Sequence, residues 1–105
     1  MLDFYLGKNK GDRNLQGPVA RIDEELHAAL FGSPLISSDM RILLSMKDLY
    51  RDVSLRPAEC SVLLGELDRI EPGLGDPGVL LFVQRLRSAC YRAVREGVSI
   101  FGFSD

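Results

Sequence analysis

Apolar residues recur at three-and-four spacing most plainly between Val79 and Val94, where Val79, Phe82, Val83, Leu86, Cys90, Ala93 and Val94 share one stripe. Asp76 is placed to cap this helix, Pro77 stands at its first position, where a missing amide hydrogen costs nothing, and Gly97 supplies the stop. The pattern then changes period. Val98 and Ile100 alternate with Ser99 and Phe101, which predicts a closing strand whose end is loosened by Gly102. At the other end of the chain Leu2, Phe4 and Leu6 alternate with Asp3 and Tyr5, a half-buried strand ending at Gly7.

Between these ends the pattern is helical. After the polar loop GKNKGDRNLQG, residues 18–22 read as a short strand or as the start of a helix after Pro18, with strand favoured. Asp23, followed by Glu24 and Glu25, opens a first helix that stops at Gly32, with Leu26, Leu30 and Phe31 inward. Ser38 and Asp39 open a second, running to about Asp52, with Ile42, Leu43, Met46, Leu49 and Tyr50 inward. Pro57 opens a third, on which Cys60, Leu63, Leu64, Leu67 and Ile70 form the apolar stripe, and Gly65 calls for a crowded or an exposed face. EPGLGDPG is a turn-rich link to the last helix. The expected fold is α+β: one domain over residues 1–105, in which the N- and C-terminal strands form a small sheet packed against about four helices.

Charge changes this picture more than composition does. A chain of 105 residues that is 46% hydrophobic and 27% charged is an ordinary globular sequence. Its net charge of −2 is unevenly spread: residues 1–22 and 77–105 each carry +2, whereas 23–76 carries −6. That balance does not suit a general nucleic-acid binder, whose affinity comes from Lys and Arg on phosphates. The longest apolar run, Val79 to Val83, is too short to span a membrane, and Met1 leads into a strand without a signal-like segment, so a cytoplasmic protein is expected. Cys60 and Cys90 fall on apolar stripes, where a free thiol acts as a small hydrophobe, and no structural disulfide is expected.

No motif in the chain specifies a chemistry. Gly73, Gly75 and Gly78 match the spacing of a dinucleotide fingerprint, but they follow a helical segment instead of a strand, and Asp76 would face the pyrophosphate. GKNKG lacks the ending of a P-loop. His27 is the single histidine, with no CxxC or HxxxH spacing to start a metal site, so no metal or cofactor is expected. The second and third helices fail as a helix-turn-helix because PAECSVLLGELDRIE, the would-be recognition helix, is acidic. Arg85, Arg92 and Arg95 share a side of the last helix, where solvation and ion pairs to the third helix are their ordinary role.

The layout of LDFYLG, IDEELHAALFG, DMRILLSMKDLY, a Glu- and Leu-rich third helix and a last helix and strand ending in GFSD resembles small immunity proteins. These are cytosolic proteins that bacteria encode beside polymorphic or contact-dependent toxins. The resemblance implies a noncatalytic inhibitor that binds a cognate toxin directly, without nucleic acid, membrane or cofactor; the alternative is an interaction module of another assembly. The acidic middle segment nominates Asp48, Asp52, Glu59 and Glu66 as partner-binding residues, standing where phosphates would lie if the toxin were a nuclease.

Overall fold

The computed structural model describes residues 1–11 and 17–105. Part of the expected loop after the first strand lies outside the described residues. Strand β1 spans Leu2–Gly7, β2 Ala20–Ile22, helix α1 Glu24–Phe31, α2 Arg41–Leu44, β3 Val53–Leu55, α3 Pro57–Ile70, α4 Pro77–Glu96 and β4 Ser99–Ser104. A single turn of 3-10 helix, Glu71–Gly73, leads from α3 toward α4.

The two ends of the chain pair along their full length, with Leu2 opposite Ser104 and Gly7 opposite Ser99 in an antiparallel ladder. β2 and β3 add to either side, giving a four-stranded antiparallel sheet in the order β2-β1-β4-β3. Period-two alternation sorts the two faces. Leu2, Phe4, Ile100 and Gly102 are buried on the helix side, where Val53 and Leu55 continue the row across β3. Tyr5, Phe101 and Phe103 are half-buried on the other side, where the Tyr5 and Phe103 rings meet edge to face at 5.8 Å. On that same face Arg21 donates to Asp3 across the β1–β2 pair at 3.0 Å.

The long helices begin and end where the sequence places their caps. Asp23 accepts from the Leu26 amide at 2.8 Å, and Asp76 accepts from Gly78 and Val79 at 2.8 and 3.2 Å. Gly97 closes α4 in the left-handed region at φ 67°, a conformation that favours glycine. Cys60, Leu63, Leu67 and Ile70 of α3 meet Val79, Phe82, Val83, Leu86, Cys90 and Ala93 of α4 in one buried core with the sheet. Val94 is 43% exposed and Ala89 takes the buried place instead, because the stripe follows the helical turn around toward the sheet. Gly65 has open space where a side chain would stand, so its face is exposed.

The segment from Ser38 to Asp52 departs from the expected single helix. Only Arg41–Leu44 is helical, and the chain then turns and enters β3, a strand the alternation did not suggest. Two local bonds explain the early stop. Ser45 Oγ donates to the Ile42 carbonyl at 2.5 Å, and Asp48 Oδ1 accepts from the Tyr50 amide at 2.9 Å, a side-chain turn that competes with helix. Tyr50, expected inward, is consequently 73% exposed.

Gly102 also has a more specific role than loosening a strand end. It stands between Phe4 and Val53 in the ladder, and a Cβ there would lie 3.0 Å from the Phe4 ring and 3.1 Å from the Val53 Cβ. The missing side chain is the space in which Phe4 lies, and Phe4 in turn receives Phe82 of α4 at a ring separation of 5.8 Å. Gly102→Val overfills this site and is expected to cost about 2 kcal/mol, read as a lower urea midpoint with an unchanged slope. A variant as stable as the parent would show that Phe4 is not held against the backbone.

Candidate functional site

The acidic middle of the chain is engaged in its own backbone to an extent that charge counting does not reveal. Of the eleven carboxylates in residues 23–76, six accept from main-chain amides: Asp23, Asp48, Asp52, Glu59, Glu66 and Asp76. Three more pair with arginines, Asp39 with Arg69 at 3.0 Å, Asp68 with Arg87 at 3.1 Å and Glu71 with Arg87 at 3.3 Å. Among the described residues, this leaves Glu24 and Glu25 without a hydrogen bond or ion pair. Arg87 is thus the α4 residue that bridges to α3 and the turn beyond it. Arg92 and Arg95 reach Glu96 on their own helix instead, contrary to the expected links to α3.

The four nominated carboxylates separate accordingly. Glu66 is 6% exposed and cannot meet a partner. Its Oε1 accepts from the Leu43 amide at 2.7 Å and its Oε2 from the Ile42 amide at 3.3 Å. It therefore serves the first turn of α2, whose own flanking residue, Met40, offers no capping side chain. Asp39, the cap expected from sequence, turns away to the Ser37 hydroxyl and to Arg69, and these two hydrogen bonds, in that order, hold its carboxyl below the ordinary value of 3.8. The long side chain of Glu66, reaching across from α3, supplies what the local sequence does not.

Glu59 is half-buried at the start of α3, where Oε1 accepts from the Arg56 amide at 3.0 Å and from Arg56 Nε at 3.3 Å. The backbone bond holds its pKa below the ordinary 4.5, so its contribution to stability is present above that value and is lost as pH falls through the depressed one. Asp52 is exposed, and its Oδ1 accepts from the Ser104 amide at 2.9 Å, fastening the approach to β3 onto the end of β4. Asp48 is exposed in the turn before β3.

Of the four, Asp48 lines a shallow depression of about 270 Å³, formed by Glu24, His27 and Ala28 of α1 with Lys47, Asp48, Leu49 and Tyr50. His27 forms its floor. The imidazole is 7% exposed, hydrogen-bonds through Nε2 to the Met46 carbonyl at 2.9 Å and lies 4.6 Å from the Phe31 ring. This bond ties α1 to the turn that carries Asp48 and Tyr50. Glu24, at the first position of α1, brings a second carboxylate to the depression, and Tyr50 stands exposed beside it. Glu24 is the helix-start charge that the sequence indicates, and nothing in the sequence marks it for this depression. Tyr50, placed in the core by helical spacing, is instead exposed.

What the depression offers chemically is recognition: an aromatic ring with a hydroxyl tip, two carboxylates of different segments with the Lys47 ammonium beside them, and a fixed floor. No three His, Cys, Asp or Glu side chains gather among the described residues into a metal-ligating group. The N-terminus of α4, beside the glycine motif, is occupied by Asp76's own carboxylate. No helix among the described residues is long and apolar enough to cross a membrane.

Because Glu66 holds two amides inside the protein, Glu66→Ala is expected to lower stability by about 3 kcal/mol, whereas Glu66→Gln, which keeps one acceptor, should cost about 1 kcal/mol. Chemical denaturation of both variants checks the order, and equal losses would contradict the capping role. Comparison with protein-family models, with curated proteins and with solved structures finds no match, so the functional reading rests on the residues and geometry described above.

Proposed function

We propose that this chain is a noncatalytic inhibitor of the immunity type, which neutralises a cognate bacterial toxin in the cytoplasm by binding it directly. The observation that carries this reading is Tyr50: a large aromatic side chain, 73% exposed, beside a concavity that it shares with Glu24 and Asp48. Exposed tyrosine is favoured at binding hot spots because it covers much area for few rotatable bonds and keeps a polar tip. Flanking carboxylates add attraction for a basic partner face, which raises the association rate and selects partners by charge. Asp48 keeps its nominated role; Asp52 and Glu59 stand outside the depression, and Glu66 serves the core. The layout resemblance of the whole chain to immunity proteins supplies the partner class. An interaction module of another assembly would use the same surface for a different basic partner.

Co-expression with the toxin encoded beside this chain tests the reading. The inhibitor is expected to restore growth and to copurify with the toxin. Tyr50→Ala should weaken binding by tenfold or more. The double variant Glu24→Arg with Asp48→Arg should slow association at low salt, with the difference shrinking as salt rises. Lack of both rescue and copurification contradicts the inhibitor, and full binding by both variants contradicts this surface.

A further inference from the structure

Helices α3 and α4 run antiparallel through the short turn between them, and their buried stripes mirror each other. On α3 the stripe is Cys60, Leu63, Leu67 and Ile70; on α4 it is Val79, Val83, Leu86 and Cys90. In a helical hairpin, residues equally far from the turn lie level with one another along the seam. Ile70 thus lies level with Val79, Leu67 with Val83, Leu63 with Leu86, and Cys60 with Cys90. None of the eight is more than 2% exposed. The last rung therefore consists of the chain's two cysteines, both free, buried thiols, each near enough to shift the other's titration. Cys60 Sγ also donates to the Leu55 carbonyl at 3.7 Å.

We propose that Cys60 and Cys90 form a redox modification site, a dithiol that closes to an intramolecular disulfide stapling α3 to α4 when the chain meets a low-molecular-weight disulfide such as oxidised glutathione. One cysteine thiolate attacks a sulfur of oxidised glutathione, forming a mixed disulfide and expelling one glutathione thiolate. The second cysteine thiolate then attacks the chain's own sulfur in that mixed disulfide and expels the second glutathione. The two cysteines give up two electrons to the external disulfide, and their two protons end on the two glutathione thiols.

The same geometry decides when this happens. Hydrogen bonding with Cys60, and then burial, push the Cys90 thiol well above the usual range, and the thiolate is the attacking species. Although Cys60 is shifted the other way, both sulfurs are fully buried, so the closed hairpin keeps the reagent from either of them. Reaction proceeds while α3 and α4 are apart, during folding or a transient opening, and folding then brings the two sulfurs together. The crosslink closes a loop containing most of α3, the turn and about two thirds of α4, which restricts the unfolded chain and raises the melting temperature by roughly 10 °C.

The test is to refold the full chain from denaturant in a mixture of oxidised and reduced glutathione, then alkylate and weigh it. The expected product is a monomer about 2 Da lighter than the reduced chain, with both cysteines blocked to alkylation and a higher melting temperature. The reduced, folded chain should react with the same mixture far more slowly. Cys60→Ala and Cys90→Ala should each give no intramolecular crosslink and a melting temperature insensitive to reductant. Free thiols in the refolded parent, or a crosslinked form that melts below the reduced one, would overturn the proposal.

Discussion

The structure depends first on the pairing of its two ends. β1 and β4 meet only after nearly the whole chain has been laid down, and each then supplies the other's neighbour along its length. The pairing brings Phe4 over Gly102, and Phe4 is what the α4 ring of Phe82 packs on. Both added strands take their register from this pair: β2 from the first half of β1 and β3 from the middle of β4. Long-range ladders of this kind carry a loop-closure cost that apolar burial must offset. Here the α3–α4 seam, packed on the inner face of the sheet, does so.

A second constraint shapes the surface. Carboxylates that look from composition like an acidic face are mostly bound to the protein's own amides and arginines. Glu66 is the clearest case, since a buried charge is tolerated only when its hydrogen bonds are made, and the amides of Ile42 and Leu43 make them. Glu66 thereby fixes where α2 starts, while the Ser45 and Asp48 bonds end it and turn the chain. His27, bonded to the Met46 carbonyl, holds this turn against α1. Tyr50 is exposed because the chain turns at Asp48 instead of continuing as a helix, and the proposed binding surface is built on that turn.

Much of this was legible in the residues. The α4 stripe, its Asp76 cap and Gly97 stop, the α3 stripe and the period-two terminal strands all agree between local preference and tertiary packing, so their boundaries were read closely. The segment from Ser38 to Asp52 was not, because its apolar spacing is equally that of a helix, while the bonds that end it early are the side-chain bonds of Ser45 and Asp48. β3 is three residues long and acquires its identity from the edge of β4. Tyr50 faces outward because helical spacing predicts which way a side chain faces only while the helix continues, and α2 ends at Leu44. Glu66 lies on a helix that does continue, and its burial follows from the Ile42 and Leu43 amides of another segment, which no local pattern reveals. The facing of Cys60 and Cys90 was present in the two mirrored stripes, and required only the knowledge that the helices form a hairpin.

Native-state hydrogen exchange tests the dependence on the paired ends most directly. If the β1–β4 ladder is the constraint on which the rest stands, the amides of β1 and β4 that bond across it should exchange only with global unfolding, at the same free energy as the buried amides of α3 and α4. Exchange of the ladder through a lower-energy opening that leaves the α3–α4 amides protected would contradict this, and would make the helical hairpin the independent core.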